Sequence, residues 1–354
     1  MSPDGPTILR GLTRSNLFWP VFALVVILVF DAFLTPGFLS LRIQDGHLYG
    51  SLIDILKNGT PTALIALGMT LVVATRGIDL SVGATVAISA ALACSWIASS
   101  PDPTSGGAAL VGVLLALGLA AVLGLWNGFL VSVLGIQPII ATLVLMTAGR
   151  GLAQLITDGQ IITVANPLFA QLGGGFLVGL PVSVVLAAAL FALVAVLTRR
   201  TALGMLIESV GINPSAARLA GVRARGITLA VYVFTALCAG IAGLMISSNV
   251  TAADANNAGL WIELDAILAV VIGGTLLSGG RFSIVGTLIG ALVLQTLTTT
   301  VYSVGIAPEV TLVFKALVII AVCLLQSPKA RSVFRVRRTG GPGTPAPVLE
   351  KVPA

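Results

Sequence analysis

The sequence predicts an all-α, polytopic membrane protein with about ten transmembrane helices. Three observations carry this. Apolar residues make up 57% of the 354-residue chain and charged residues only 9%, against about 25% charged in a soluble domain. The apolar residues gather in long runs, several of them near the roughly 20 residues that a helix needs to cross a bilayer. Short polar segments, rich in Gly or in Arg, separate those runs.

Taken in order, the first run covers 18–34 and comes after Arg10 and Arg14. No small-residue cleavage site comes after it, so it reads as a retained span. A mixed segment, 35–59, holds His47, the single histidine, read as a solvated loop residue. Span 2 covers about 60–74 and begins as early as Leu52. It leads through 76–83 into span 3, about 84–99. A polar turn at 101–107 precedes span 4, about 108–129. Span 5 (about 139–156) comes after a turn at 134–138. The Gly-rich segment 157–179 leads to span 6, about 180–197. Span 7 (about 227–248) comes after a polar island, and a polar, acidic stretch covers 249–265. Span 8, about 266–277, is short and reads as half-buried or broken. Spans 9 and 10 cover about 284–301 and 310–325. We see no internal repeat.

Charge sets the orientation. Placing both termini in the cytoplasm puts 15 of the 19 basic residues on that side, six of them in the C-terminal tail, and nine of 13 carboxylates on the other. That matches the excess of Lys and Arg in cytoplasmic loops. The chain then divides into a cytoplasmic N-terminal tail (1–17), a membrane domain (18–326) and a disordered, basic, cytoplasmic tail (327–354). The net charge of +6 sits in membrane-flanking loops and the tail, so it indicates no nucleic-acid partner. Cys94, Cys238 and Cys323 lie inside apolar runs and read as reduced, structural thiols, with no metal site.

The organising stretch is the island 199–226. It carries Arg199, Arg200, Arg218, Arg223 and Arg225 against one carboxylate, Glu208. Its pattern predicts a helix over 201–210, a break at 211–214 and a small helix over 215–220, with Asn213 able to cap the second helix. Two small helices on the cytoplasmic face suit a docking surface, and short side chains let a partner groove approach closely.

At these residues the chain resembles ribose-type sugar ABC importer permeases. The resemblance is carried by TALG (201–204), ESVGIN (208–213) and AARLAGV (216–222). It continues at GIDLSVG (77–83), QPIIATL (137–143) and ELDAILAVVIGGT (263–275), and spans roughly residues 50–326 in the family's order. Within that family, LYGSLIDIL (48–56) and ADANNAGLW (253–261) look like galactofuranose importer permeases. The ribose-type pattern has a Gly-Tyr-rich stretch where this chain has Asn256, Asn257 and Trp261.

The resemblance implies a non-catalytic subunit in a bacterial inner membrane that moves a monosaccharide, galactofuranose, by alternating access. A separate ABC ATPase would use ATP and Mg, a periplasmic sugar-binding protein would deliver the substrate, and a second permease chain would complete the pathway, as a heterodimer or a homodimer. It assigns Gly204, Glu208, Gly211, Asn213, Ala217, Arg218 and Gly221 to ATPase coupling. The residues agree independently that this chain holds no nucleotide: none of its four lysines comes directly after a glycine, as a phosphate-binding loop requires. Leu277-Ser278-Gly279-Gly280-Arg281 looks like an ATPase signature but reads as a glycine turn between spans. Other readings are an ABC permease for another pentose or hexose such as ribose, an ion-coupled secondary transporter, and a membrane scaffold.

Residue chemistry offers Asp79, Asn127, Asn256, Asn257, Trp261, Glu263 and Asp265 as candidates for a substrate pathway, with a paired structural turn preferred to an inner gate at Asp79. Asp79 lies between apolar runs, where an unpaired carboxylate costs roughly 2.5–3.5 kcal/mol on insertion scales. Arg76, three residues earlier, is its expected partner. Amides hydrogen-bond hydroxyls and an indole stacks on a sugar face, which suits Asn256, Asn257 and Trp261, although Trp also anchors at membrane interfaces. Glu263 and Asp265 suit a helix N-terminus. Lys315 either reaches out of span 10 or pairs with Glu309. Asn127 and Gln295 face a pore or join helices. Gly68, Gly124, Gly240, Gly243, Gly286 and Gly290 read as close-packing positions.

Overall fold

A computed structural model describes residues 17–305 and, beyond them, residues 310, 312, 313, 315–317 and 320. The tail 327–354, most of the tail 1–17, Glu309 and Cys323 lie outside the described residues. Twelve helices run through residues 18–303: α1 (Phe18–Leu34), α2 (Ser51–Ala74), α3 (Val82–Ser99), α4 (Gly106–Ser132), α5 (Pro138–Ile156), α6 (Pro167–Gly174), α7 (Val182–Arg200), α8 (Leu203–Ile212), α9 (Pro214–Leu219), α10 (Ala224–Val250), α11 (Ile262–Ile272) and α12 (Ile284–Ser303). The described residues beyond 305 are helical.

Among the described residues seven helices are long and apolar enough to cross a membrane: α2, α3, α4, α5, α7, α10 and α12. The shorter α1, the short α11 and the described helical residues beyond 305 fall in the other expected spans. Among the described residues, strand is confined to three two-stranded ribbons: β1 (Arg42–Gln44) with β2 (His47–Tyr49), β3 (Ile162–Thr163) with β6 (Ala252–Ala253), and β4 (Phe176–Leu177) with β5 (Leu180–Pro181). His47 is half-buried and stacks on Phe176 with ring centroids 4.4 Å apart; the aromatic side chain across the loop takes it out of the solvated setting expected of it.

Local chemistry starts several helices. Ser105, Asn166, Asn213 and Ser283 each accept a backbone N–H at the start of α4, α6, α9 and α12. Each satisfies donors that a helix start leaves open. The sequence places the break of the island over 211–214, starting at Gly211. Instead α8 continues through it to Ile212, and the break falls at Asn213–Pro214.

α10 is the axis of the fold, packed on α2, α3 and α4. Small residues set the spacing. A Cβ built at Gly124 would lie 2.7 Å from Val233 Cα, and one at Gly68 would lie 2.8 Å from Thr235 Cα. Gly240, Gly243, Gly286 and Gly290 meet neighbouring helices equally closely. In lipid, where apolar side chains gain nothing by leaving the solvent, such close approach supplies the packing energy. α2, α3, α10 and α12 are mostly buried, while less than a third of α5 and of α7 is buried.

The connections sort to two ends. Arg76, Ile212, Ser278 and Gly280 meet at one end, together with Thr142 in the first turn of α5. At the other end Asn166 holds the carbonyls of Pro103 and Ser105, β3 pairs with β6, and Leu48 N–H donates to Gly179 O.

Candidate functional site

The arginine-rich end is built around the seat of α8. Gly211 is buried, and a Cβ there would run into the carbonyl of Ala74, the last residue of α2. Gly204 is buried against the Thr198 carbonyl at the end of α7. Gly280 N–H donates to the same Ala74 carbonyl at 2.9 Å. The turn 276–280 is a glycine turn, with Gly279 and Gly280 at φ +85° and +95°, a conformation that glycine adopts freely.

Arg76 closes this junction. Its Nη2 donates to Ile212 O at 2.5 Å and its Nε to Ser278 O at 3.1 Å. The expected Arg76–Asp79 pair is therefore corrected. Arg76 has left-handed backbone, φ +65°, which ends α2 and turns its side chain to two carbonyls, one at the end of α8 and one in the glycine turn. Asp79 turns inward, 1% exposed, and its Oδ1 accepts from Ser81 N–H at 2.9 Å and Ser81 Oγ at 2.6 Å. Asn127 Nδ2 donates to the same Ser81 Oγ at 2.7 Å. Thr142 Oγ1 accepts from Leu80 N–H and reaches Ile78 O. The 76–81 turn thus joins α8 on one side to α4 and α5 on the other. Asn127 Oδ1 and Tyr232 OH are buried beside it and have no hydrogen-bond partner among the described residues.

The rest of the island faces outward. Asn213 caps α9, accepting from Ser215 and Ala216 N–H. Ala217 packs with Val210 and Ala224. Glu208 is half-buried, Arg218 and Gly221 are exposed, and Gly221 holds φ +83°. Leu219 at the end of α9 is 91% exposed, and Met205 and Ile212 are 68% and 60% exposed. Sequence reasoning misses these three apolar side chains, although apolar residues in an arginine-rich stretch are the signal that finds them.

The opposite end carries a second cluster. Asp254 accepts from the backbone N–H groups of Asn256 and Asn257 and from Asn257 Nδ2 at 2.7 Å. These bonds hold its carboxyl below the ordinary range; the Asn257 side chain is the largest cause and the Arg150 charge a smaller one. Gln154 Nε2 donates to Asn256 Oδ1 at 2.7 Å, and Arg150 donates to the carbonyls of Ala255 and Ala258. Asp254, Arg150 and Gln154 are also missed from sequence, because the pairs that join α5 to this turn are about a hundred residues apart in the chain.

Trp261 is half exposed and stands at the N-cap of α11 in left-handed conformation, φ +63°. Glu263 and Asp265 occupy the first turn of α11, where the helix dipole favours negative charge. Asp265 accepts from Lys315 at 3.0 Å, so Lys315 reaches back to α11; Glu309, its expected alternative partner, lies outside the described residues. Glu263 is 4% exposed, and its Oε2 has no hydrogen-bond partner among the described residues. Its carboxylate lies where a side chain on Gly83 would be. Gly83 is two residues from Ser81, so the first turn of α3 touches both clusters. Asn256, Asn257 and Glu263 gather near Arg150, whereas Asp79 and Asn127 belong to the inner network.

A bundle of membrane-crossing helices with a structured polar segment at one end and a charged, amide-lined turn at the other is the architecture of a transport permease. Residues 51–323 match the family described as the branched-chain amino acid transport system / permease component, and the chain belongs to that family. It is 49% identical to the galactofuranose transporter permease protein of Escherichia coli K12 over 334 residues, 94% of this chain and 96% of that one. It is 38% identical to the fructose import permease protein of Bifidobacterium longum over 336 residues, 93% of each chain. Against the ribose import permease protein of Bacillus subtilis it is 36% identical over 313 residues, 88% of this chain and 92% of that one. No solved structure matches it.

Proposed function

We propose that this chain is the membrane-spanning subunit of an ATP-driven importer that carries a monosaccharide, galactofuranose, across a bacterial inner membrane. Both termini and the 199–226 segment face the cytoplasm, as the arginine distribution favours. A separate ABC ATPase, which uses ATP and Mg, docks on α8 and α9. A periplasmic binding protein delivers sugar to the opposite end, and a second, related permease chain forms the other half of the pathway.

The observation that carries this reading is the junction at Arg76. A push on α8 reaches the 76–81 turn through one side chain and through the close seat of Gly211 on Ala74. From that turn, Ser81 and Thr142 connect to α4 and α5. The exposed Leu219, Met205 and Ile212 provide an apolar grip on the partner. Alternating access then rocks the inner helices about a weak sugar site near Arg150, Asn256, Asn257 and Glu263. The galactofuranose relative supports the choice of sugar.

Uptake of labelled galactofuranose, ribose and fructose into proteoliposomes tests this. The complete complex would be supplied with binding protein and internal ATP. We expect ATP-dependent uptake of galactofuranose that persists when ionophores collapse the ion gradients. Uptake that needs a gradient and ignores ATP would replace this mechanism with ion coupling, and preferred uptake of another sugar would overturn the substrate.

A further inference from the structure

The frame that holds α8 has a gap. α7 and α10 both pack on α2, and between them opens an apolar crevice of about 430 Å³. Leu71 of α2, Leu197 of α7, Ile207 of α8 and Phe234 of α10 line it. Its border is basic. Arg223 lines the crevice itself. Arg199 and Arg200 come directly after Thr198, and Arg225 directly precedes Gly226, both of which border it. All four arginines are exposed, and among the described residues none forms a salt bridge.

An apolar slot inside a lipid-embedded helix bundle, bordered by cations that form no salt bridge among the described residues, matches one molecule in both parts. We infer that an anionic phospholipid from the leaflet on the arginine side inserts an acyl chain between α7 and α10 and sets its phosphate on Arg223. The tail removes apolar wall from a void that α2 alone does not fill. The headgroup charge supplies what Arg223 and its neighbours lack, as anionic lipids do for basic juxtamembrane clusters. The lipid packs against Ile207 and so braces α8 on its seat at Ala74. Neither the identity of the sugar nor the presence of an ATPase enters this inference.

Native mass spectrometry of the full-length chain, released from nanodiscs that contain phosphatidylglycerol and phosphatidylcholine in equal amounts, tests the site. The wild type should retain one phosphatidylglycerol in at least about ten-fold preference over phosphatidylcholine. Ala230→Trp, which fills the crevice from α10, should abolish that retention. Arg223→Gln, at an exposed position, should remove the preference for phosphatidylglycerol. Leu152→Trp, on an exposed face of α5, should retain the lipid as the wild type does. Equal retention of both lipids by the wild type, or an unchanged preference in Arg223→Gln, would overturn the proposal.

Discussion

Arg76 Nη2 and Ile212 O are 2.5 Å apart, although 136 residues separate them in the chain. This bond joins the turn after α2 to the end of α8, and the same guanidinium holds Ser278 O. Arg76→Lys keeps the charge but not the planar fork that reaches two carbonyls at once. A hydrogen bond from a charged group contributes about 1.5–3 kcal/mol, and solvent exposure of Arg76 places this one at the low end. We expect Arg76→Lys and Arg76→Ala to lower uptake several-fold or more while ATP hydrolysis by the complex continues. Parallel measurement of uptake and hydrolysis in proteoliposomes checks this; loss of both together would point to failed assembly instead.

Gly211 has no room for a side chain against Ala74 O. Forcing a methyl into packed structure costs about 1–3 kcal/mol, and a larger group would lift α8 from its seat. Gly211→Trp should abolish uptake and leave membrane insertion unchanged, as scored by immunoblot of the membrane fraction. Glu208→Lys should do the same through the half-buried face of α8. Normal uptake by both variants at normal abundance would remove the seat from the mechanism.

Acid should loosen the turn at Asp254. Its carboxyl is held below the ordinary range, first by Asn257. A depressed value means that the group's contribution to order is complete above the unfolded value, and is lost as pH falls through the folded value. The emission of Trp261, which caps the next helix, should therefore change in strong acid below the usual aspartate range. In Asp254→Asn that acid transition should be absent.

Lys315 and Asp265 are mostly buried, with 14% and 27% of their side chains exposed. Removing one partner strands the other charge, which is worse than removing both. Lys315→Met and Asp265→Leu should each lower thermal stability in detergent. The double variant should recover much of the loss, with a coupling energy of about 1 kcal/mol or more. Simple additivity of the two single effects would show that the pair contributes nothing.

Much of the helical frame is legible in the sequence because each long span shows as an apolar run with polar ends. α5 (Pro138–Ile156) and α10 (Ala224–Val250) depart from the sequence bounds by at most three residues at each end. The cap at Asn213 is legible for a local reason, an amide placed before Pro214 at a helix start. α6 is not, since eight residues with two glycines carry little periodicity; the Asn166–Pro167 start is its one signal. The Arg76–Asp79 pair fails because three-residue spacing brings side chains together only along a continuous helix, and Arg76 ends one. The links from Arg150 and Gln154 to 255–258 depend on how α5 is rotated, which packing decides. The glycine turn at 278–281 is readable as a turn, but its role as the third corner of the Arg76 junction needs the fold.

The central claim is that an ATPase grips α8 and α9. The most direct test places a photo-cross-linking amino acid at Leu219, 91% exposed, and separately at Leu152 on α5, in the complex purified from its own membrane. Irradiation should join Leu219 to a chain that carries two nucleotide-binding halves, with no such product from Leu152. A complex that transports sugar, yet gives no Leu219 cross-link to any ATPase, would contradict the account.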